Sequence, residues 1–415
     1  MNPPQRSPAA PSTGGGHTPV TTLGTVLILS ALMSFGSIST DIYLPALPTI
    51  ARELHGQHGS VELTLSAFLV GFSLGQLVWG PISDRVGRRL PIALGLLLFM
   101  LGSVGCALAG SITQMLVWRA VQAAGACVGP VLARAMVRDL YGRERSAQML
   151  SQLILIMGIA PLIGPMLGAQ ILEYASWRWI FWFLLLMGAL MLAALRTLPE
   201  TLSPAMRSQE PMRRVLAIYL DLIRDPRLLG YALVGGFFYG GVYAYIVATP
   251  FIYIDYYHVS PQAYGWLFGV NIVGLMAANW LNGRLMPRLG SHALYRAATC
   301  AMAVIGLLAG FTGAAGLGGL AGVALSCFLF VSMNGFIVAN SVAGALAAFP
   351  HRAGAASSLV GAIHFGSGVL SAGLVGLTAD GTPRPLAVIL CCAGLGCFLV
   401  SQLVEHRLRR LASAA

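Results

Sequence analysis

A ten-residue run, GPISDRVGRR from Gly80 to Arg89, returns in worn form 203 residues later, with Gly283, Arg288 and Gly290 in the places of Gly80, Arg85 and Gly87. Each copy closes a long apolar stretch. So large a fixed offset, in a chain of such stretches, means two similar halves. Paired halves are how many membrane carriers build a pathway that can open to either side. Composition agrees with that setting. Of 415 residues, 57% are hydrophobic and only 9% charged, with a mean hydropathy of +0.77, whereas soluble domains carry roughly a quarter charged residues.

A helix crosses a bilayer with about 20 apolar residues. Apolar segments lie near 22–47, 61–81, 90–110, 113–135, 149–172, 176–197, 229–252, 263–283, 293–313, 318–344, 355–378 and 384–404. The expected fold is therefore all-α, a membrane protein of 12 transmembrane helices in two pseudo-symmetric six-helix bundles. The tight connection at Gly110 is where a miscount is easiest, and arginine placement tests it. With the amino terminus inside, inner loops, helix ends and tails hold 21 of the 25 arginines, Arg143, Arg145, Arg213, Arg214 and Arg352 among them. Arg52, Arg178 and Arg384 fall outside, and Arg119 lies within a span. Inner loops carry such an excess, and a shift by one span would scramble it.

The boundaries that follow are a disordered tail over 1–21, a first bundle over 22–197, a linker over 198–228, a second bundle over 229–404 and a tail over 405–415, both tails cytoplasmic. The linker is the longest polar connection and ends in an amphipathic stretch toward Arg227. The net charge of +11 sits in short loops between apolar runs, which argues against nucleic acid. Seven cysteines, all in apolar stretches, make no CxxC and no metal spacing with histidine; neither a disulfide framework nor a metal site is indicated. No nucleophile with a base stands at a membrane face, so the chain does not read as an enzyme and no cofactor is called for.

Ionisable side chains inside spans are costly and usually functional. Asp41, in STDIYLPALP, is the only carboxylate well inside a span, and Arg119, in RAVQAAG, the only arginine. Each lies about six residues from the outer end of its span, hence about 9 Å deep at the helical rise. Two opposite charges at one depth suggest a shared cavity, with Asp41 taking up and releasing a coupling proton and Arg119 serving proton or substrate. The structural alternative is an ion pair, or Asp41 capping a kink before Pro45. Tyr43, Gln122, Tyr239, Tyr243, Asn271 and Asn334 are candidates to line a substrate cavity, although tyrosines also anchor interfaces and asparagines join helices.

The Gly80–Arg89 loop has another task. Gly80 and Gly87 permit close backbone approach or positive φ. Asp84 can favour a helix N-terminus, and Arg88 can pair with Asp139 below span 4. With Arg85, these residues read as a conformational latch, a set of contacts held in one state and broken in the other. In span 5, Gly158, Pro161, Gly164, Pro165 and Gly168 thin and bend the helix, since small residues allow tight crossings. The halves are chemically unequal: Pro287 replaces the Asp84 position and span 7 has no counterpart of Asp41. Proton handling is therefore expected in the first half.

Together these motifs resemble the major facilitator superfamily, and in particular its Bcr/CflA branch of twelve-span drug:proton antiporters. GPISDRVGRR resembles the signature between spans 2 and 3, RAVQAAG the span-4 arginine motif, and the span-5 Gly/Pro run the antiporter motif. STDIYLPALP, ARAMVRDLYGRE, WRWIFW, TPFIYIDYYHVSP and FPHRAGAASSL match the branch more narrowly. The resemblance runs from about Thr22 to Val404, with Ala169 where the span-5 motif commonly has a second glycine. It implies export of lipophilic antibiotics of bicyclomycin, sulfonamide or phenicol type, by alternating access driven by inward proton flow, from a bacterial inner membrane. It also implies Asp41 at the proton and cation site, Arg119 in the proton-linked motif, and Gly80, Asp84 and Arg88 in the cytoplasmic latch. Expected partners are the drug, protons and the bilayer, and the expected state is a monomer. A related carrier of sugars, amino acids or peptides is the alternative, but it predicts a more polar cavity.

Overall fold

The structure, a computed structural model, describes residues 23–56, 59–141, 149, 153, 156–208, 212–349 and 352–414. The expected tail over 1–21 lies outside the described residues, as do Arg143, Arg145 and His351. All regular elements among the described residues are helical. Span 1 comprises Leu23–Asp41, a break at Ile42 and Tyr43, a turn over Leu44–Ala46 and a second helix Leu47–Glu53. Span 2 is Glu62–Val86, span 3 Arg89–Ala107, span 4 Ile112–Ala126 with Val128–Leu140, span 5 Ala160–Tyr174 and span 6 Arg178–Ala194. Span 7 is Pro226–Pro250 continued by Phe251–Tyr256, span 8 Pro261–Leu289, span 9 Ser291–Ala315, span 10 Gly319–Ser332 with Asn334–Ala347, span 11 Ala353–Thr378 and span 12 Arg384–Ala414.

Ten helical stretches among the described residues are long and apolar enough to cross a membrane. The other two are span 5, only partly described at its start, and span 8, which Asn271, Asn279, Asn282 and Arg284 make more polar. The turn at Leu108–Ser111 separates spans 3 and 4, so the count holds where it was weakest. Several ends run past expectation, among them span 2 to Val86 and span 8 to Leu289. Span 1 runs on to Glu53, because its prolines bend the helix without ending it, and span 12 continues helical through Ala414, since no glycine or proline follows Gly396 to stop it.

The starts and stops follow from local chemistry. Asp225 accepts from the Arg227 and Leu228 amides at 2.8 and 3.4 Å, with Pro226 at the first turn of span 7; Ser260 and Pro261 open span 8 in the same way. The sequence echo has a backbone meaning. Gly87 ends span 2 at φ +101° and Gly290 ends span 8 at φ +78°, a region where a side chain is strained. Gly80, in contrast, is helical and faces open space; it makes no close approach here.

Packing repeats between the halves. Span 2 packs on span 4 as span 8 packs on span 10; 3 pairs with 6 as 9 pairs with 12; and 1 pairs with 5 as 7 pairs with 11. The halves themselves meet through two equivalent seams, span 2 against span 11 and span 5 against span 8. Between them, the amphipathic helix Met212–Arg224 lays Ile218, Tyr219 and Leu222 on Leu228, Ala356 and Leu359 of the second half.

Candidate functional site

Asp41 ends the first helix of span 1, where Pro45 and Pro48 downstream cannot donate backbone hydrogen bonds. The broken helix is matched by a thin face of span 5. A β-carbon added to Gly164 would lie 2.9 Å from the Asp41 β-carbon, and one on Gly168 would sit 2.0 Å from the Ile42 carbonyl oxygen. The opposite face of span 5 carries Leu162 and Met166 against Gly269 and Gly265 of span 8, so glycines four apart set both crossings. Gly158 and Ile159 form the turn before this helix, with Pro161 in its first turn and Pro165 inside it. Because the backbone blocks the added methyl, Gly168→Val should cost about 1–3 kcal/mol of stability. A thermal-shift measurement in detergent checks this, and an unchanged midpoint would contradict the close crossing.

The Asp41 carboxylate is 5% exposed and has no arginine or hydrogen-bond donor paired with it among the described residues. The turn Leu44–Ala46 that follows it packs on spans 7 and 8, so Asp41 stands where the first half faces the second. It lies twelve residues from Glu53, about 18 Å at the helical rise, and is deeper than the sequence suggested.

Arg119 occupies a different compartment. It is fully buried, and one of its terminal nitrogens donates to the Ser39 carbonyl at 3.2 Å and to Gln122 Oε1 at 2.7 Å. The guanidinium lies over the Tyr43 ring at 4.5 Å and the Phe68 ring at 4.4 Å, with Phe181 at 6.0 Å. Its Nε and other terminal nitrogen have no hydrogen-bond partner among the described residues. Arg119 reaches the level of Asp41 but on the other side of span 1, enclosed by spans 1, 2, 4 and 6. The expectation of one shared cavity is therefore corrected. Rotation of span 1 about its axis turns the two charges apart, and no ion pair joins them.

The cavity candidates divide the same way. Tyr43 and Gln122 are buried in the first half, with Tyr43 bonded to Thr64 at 2.8 Å and Gln122 donating to Ser103 at 2.8 Å. Asn271 donates to the Tyr245 hydroxyl and the Leu267 carbonyl inside the second half. These three spend their polar groups on packing. Tyr239 and Tyr243 face the seam instead, stacked on each other and tilted against Phe365, which itself meets Phe72 of span 2 at 4.7 Å.

At the arginine-rich end, Arg88 is almost fully buried and gathers three partners. It donates to Asp139 at 2.8 Å, Asp84 at 2.6 Å and Ser83 at 2.7 Å. Arg85 lies two residues before Gly87, in the last turn of span 2. Sequence reasoning missed the keystone, Glu200 in the linker, whose oxygens accept from the Arg88 and Arg89 amides at 2.8 and 3.1 Å. Only its position at the start of the linker, just after span 6, hinted at this use.

Burial opposes ionisation of Glu200, but the amides of Arg88, Leu202 and Arg89 and the Arg207 charge outweigh it and hold the carboxyl below its usual range. A depressed folded value means the brace is complete above the ordinary carboxylate range and is lost as pH falls through the folded value. Near neutral pH, Glu200→Gln should be about 1 kcal/mol less stable than the parent, as for a lost helix cap, and the two should converge in acid. Thermal shifts across pH check this; a constant gap would exclude the carboxylate as the brace.

With this geometry in view, comparison with known proteins is informative. The family model of the Major Facilitator Superfamily matches residues 27–372. The chain is 36% identical over 372 residues to the MFS-type transporter YdgK of Bacillus subtilis, covering 89% of this chain and 92% of the relative. It is 31% identical to a bicyclomycin resistance protein homolog of Haemophilus influenzae, covering 88% and 91%. It is 32% identical to a chloramphenicol resistance protein of Pseudomonas aeruginosa, covering 89% and 88%. Among solved structures, the partially occluded inward-open xylose transporter XylE of E. coli matches with a TM-score of 0.72 at 15% identity, over 91% of this chain and 96% of that one. The twelve spans, their repeated packing and these likenesses together place the chain in the major facilitator superfamily, as a membrane transporter and not an enzyme.

Proposed function

We propose that this transporter is a proton-coupled antiporter that exports lipophilic small molecules, including antibiotics of bicyclomycin, sulfonamide or phenicol type, by alternating access. The observation that carries the reading is Asp41, a carboxylate withdrawn from water at the seam between the halves, with no basic residue paired to it among the described residues. Such a group binds a proton or a cationic substrate in turn, and which one it holds changes as the seam opens to one side or the other. The aromatic wall of Tyr239, Tyr243, Phe72 and Phe365 suits an apolar body. Drug-resistance relatives support the substrate class.

In this reading the arginine-rich end is cytoplasmic and the protein works as a monomer in a bacterial inner membrane. The state seen is closed at the opposite end. There Arg52 approaches Asp255 at 3.9 Å, Gln262 bonds to Glu173 at 3.2 Å, and Gly59 lies against the Gly376 backbone. The cluster of Asp84, Arg88 and Asp139 acts as the latch. Asp84→Ala should cut turnover at least about tenfold, about 1.4 kcal/mol on the barrier, while leaving ethidium binding in place. Wild-type turnover in that variant would refute the latch. The direct test of function is accumulation of ethidium or chloramphenicol in a pump-deficient bacterial host. Cells expressing the chain should accumulate less, and an uncoupler should erase the difference; efflux persisting under the uncoupler would point to another energy source.

A further inference from the structure

At the end opposite the arginine-rich loops, a cavity of about 410 Å³ lies beside the close crossing of Gly59 and Gly376. That volume falls within the range of small-molecule sites, roughly 300–1,000 Å³. Among the described residues that line it, none belongs to the Asp41 seam or to the latch. Its walls come from both halves. Span 2 brings Glu62, its first residue, while spans 7, 11 and 12 bring Phe251, Tyr256, Val375 and Leu386. Closure of this end therefore assembles the cavity, and opening would take it apart.

Span 7 shapes its wall with a widened turn. Over Phe251–Tyr256 the helix is of π type, and the Tyr257 amide donates back to the Ile252 carbonyl at 3.0 Å. Such turns are rare and concentrate at functional sites. The lining is also chemically one-sided. Most of it is apolar or aromatic, and against that surface Glu62 sets a carboxylate only 5% exposed. The first turn of a helix favours a negative charge there. No arginine is among the described lining residues. Arg52 reaches only Asp255, at 3.9 Å, with its side chain 71% exposed. Asp255 is thus offset from the solvent side, and Glu62 is the charge set deepest in the wall. A flat cation matches this arrangement: the carboxylate takes its charge, and the rings of Phe251 and Tyr256 take its face.

We propose that this cavity binds an organic cation with a flat aromatic body, held by the Glu62 carboxylate. The site is separate from the seam. It rests on the export reading only for the alternation that closes this end.

The test uses ethidium, a flat permanent cation whose fluorescence rises on leaving water. Titration of the purified full-length protein in detergent should show saturable binding. Glu62→Gln, which keeps the shape of the side chain, should weaken that binding about tenfold, the scale of one charge-assisted contact. Ala379→Trp, which sets a large ring into the cavity from its partly exposed rim, should abolish it, and this variant answers the question even where Glu62→Gln folds poorly. Asp41→Asn should leave this component unchanged, since any ethidium held at the seam forms a second component. No saturable binding, or binding that survives Ala379→Trp in full, would overturn the outer site. Loss of all binding in Asp41→Asn alone would also overturn it, while leaving the export reading intact. Binding lost in Ala379→Trp and untouched by Asp41→Asn would support the outer site, whether or not Asp41 proves to couple transport.

Discussion

Asp41→Asn is expected to abolish uphill export in everted membrane vesicles while the protein still inserts and folds. The substitution keeps shape and removes only the titratable charge. Because the carboxylate has no arginine partner among the described residues, its loss leaves no orphaned cation, and stability should change by less than about 1 kcal/mol. Transport driven by a pH gradient should fall more than about a hundredfold, roughly 2.7 kcal/mol at the helical break of span 1. Downhill movement of drug through the variant should survive better than uphill movement, because coupling is lost while the pathway is kept. Unchanged uphill efflux would discard Asp41 as the coupling group.

Arg119→Met should separate stability from function in the opposite sense. A guanidinium fully enclosed between Tyr43 and Phe68, with two nitrogens unsatisfied, is expensive to bury. A methionine reaches only to about the position of the arginine Nε, but it removes the cost of the buried charge, which offsets the lost ring contacts, so the thermal midpoint should hold. Transport should nonetheless drop by more than about tenfold, because a charge retained at such expense is retained for the working cycle. Arg119→Lys should not rescue it, since a lysine cannot lie flat between two rings. A variant that is both less stable and fully active would show the arginine to be mere scaffolding.

Much of the fold was legible because it depends on local properties. Span length follows from runs of apolar residues, and the ends of spans 2 and 8 follow from Gly87 and Gly290, which take a backbone conformation few other residues accept. The pairing of Arg88 with Asp139 was also readable, as two opposite charges at one end of adjacent helices, and the structure brings them to 2.8 Å. Glu200 was not, since a residue 112 positions away in the chain gives no spacing signal. Tyr43, Gln122 and Asn271 were misplaced for a related reason. Polarity inside a span shows that a group needs a partner, not whether a substrate or a neighbouring helix provides it.

What the amino-acid order determined alone is a membrane body of twelve helices built twice, with its basic residues at one end and one isolated carboxylate in the first helix. Those features are sums over nearby residues, and no packing can alter them. The tertiary structure decided which way each charge looks. Asp41 turns to the seam and Arg119 into the first half. A helix can be rotated about its axis without changing its composition, and only contacts such as Gly168 against Ile42 and Arg119 against Phe68, from distant parts of the chain, select one rotation.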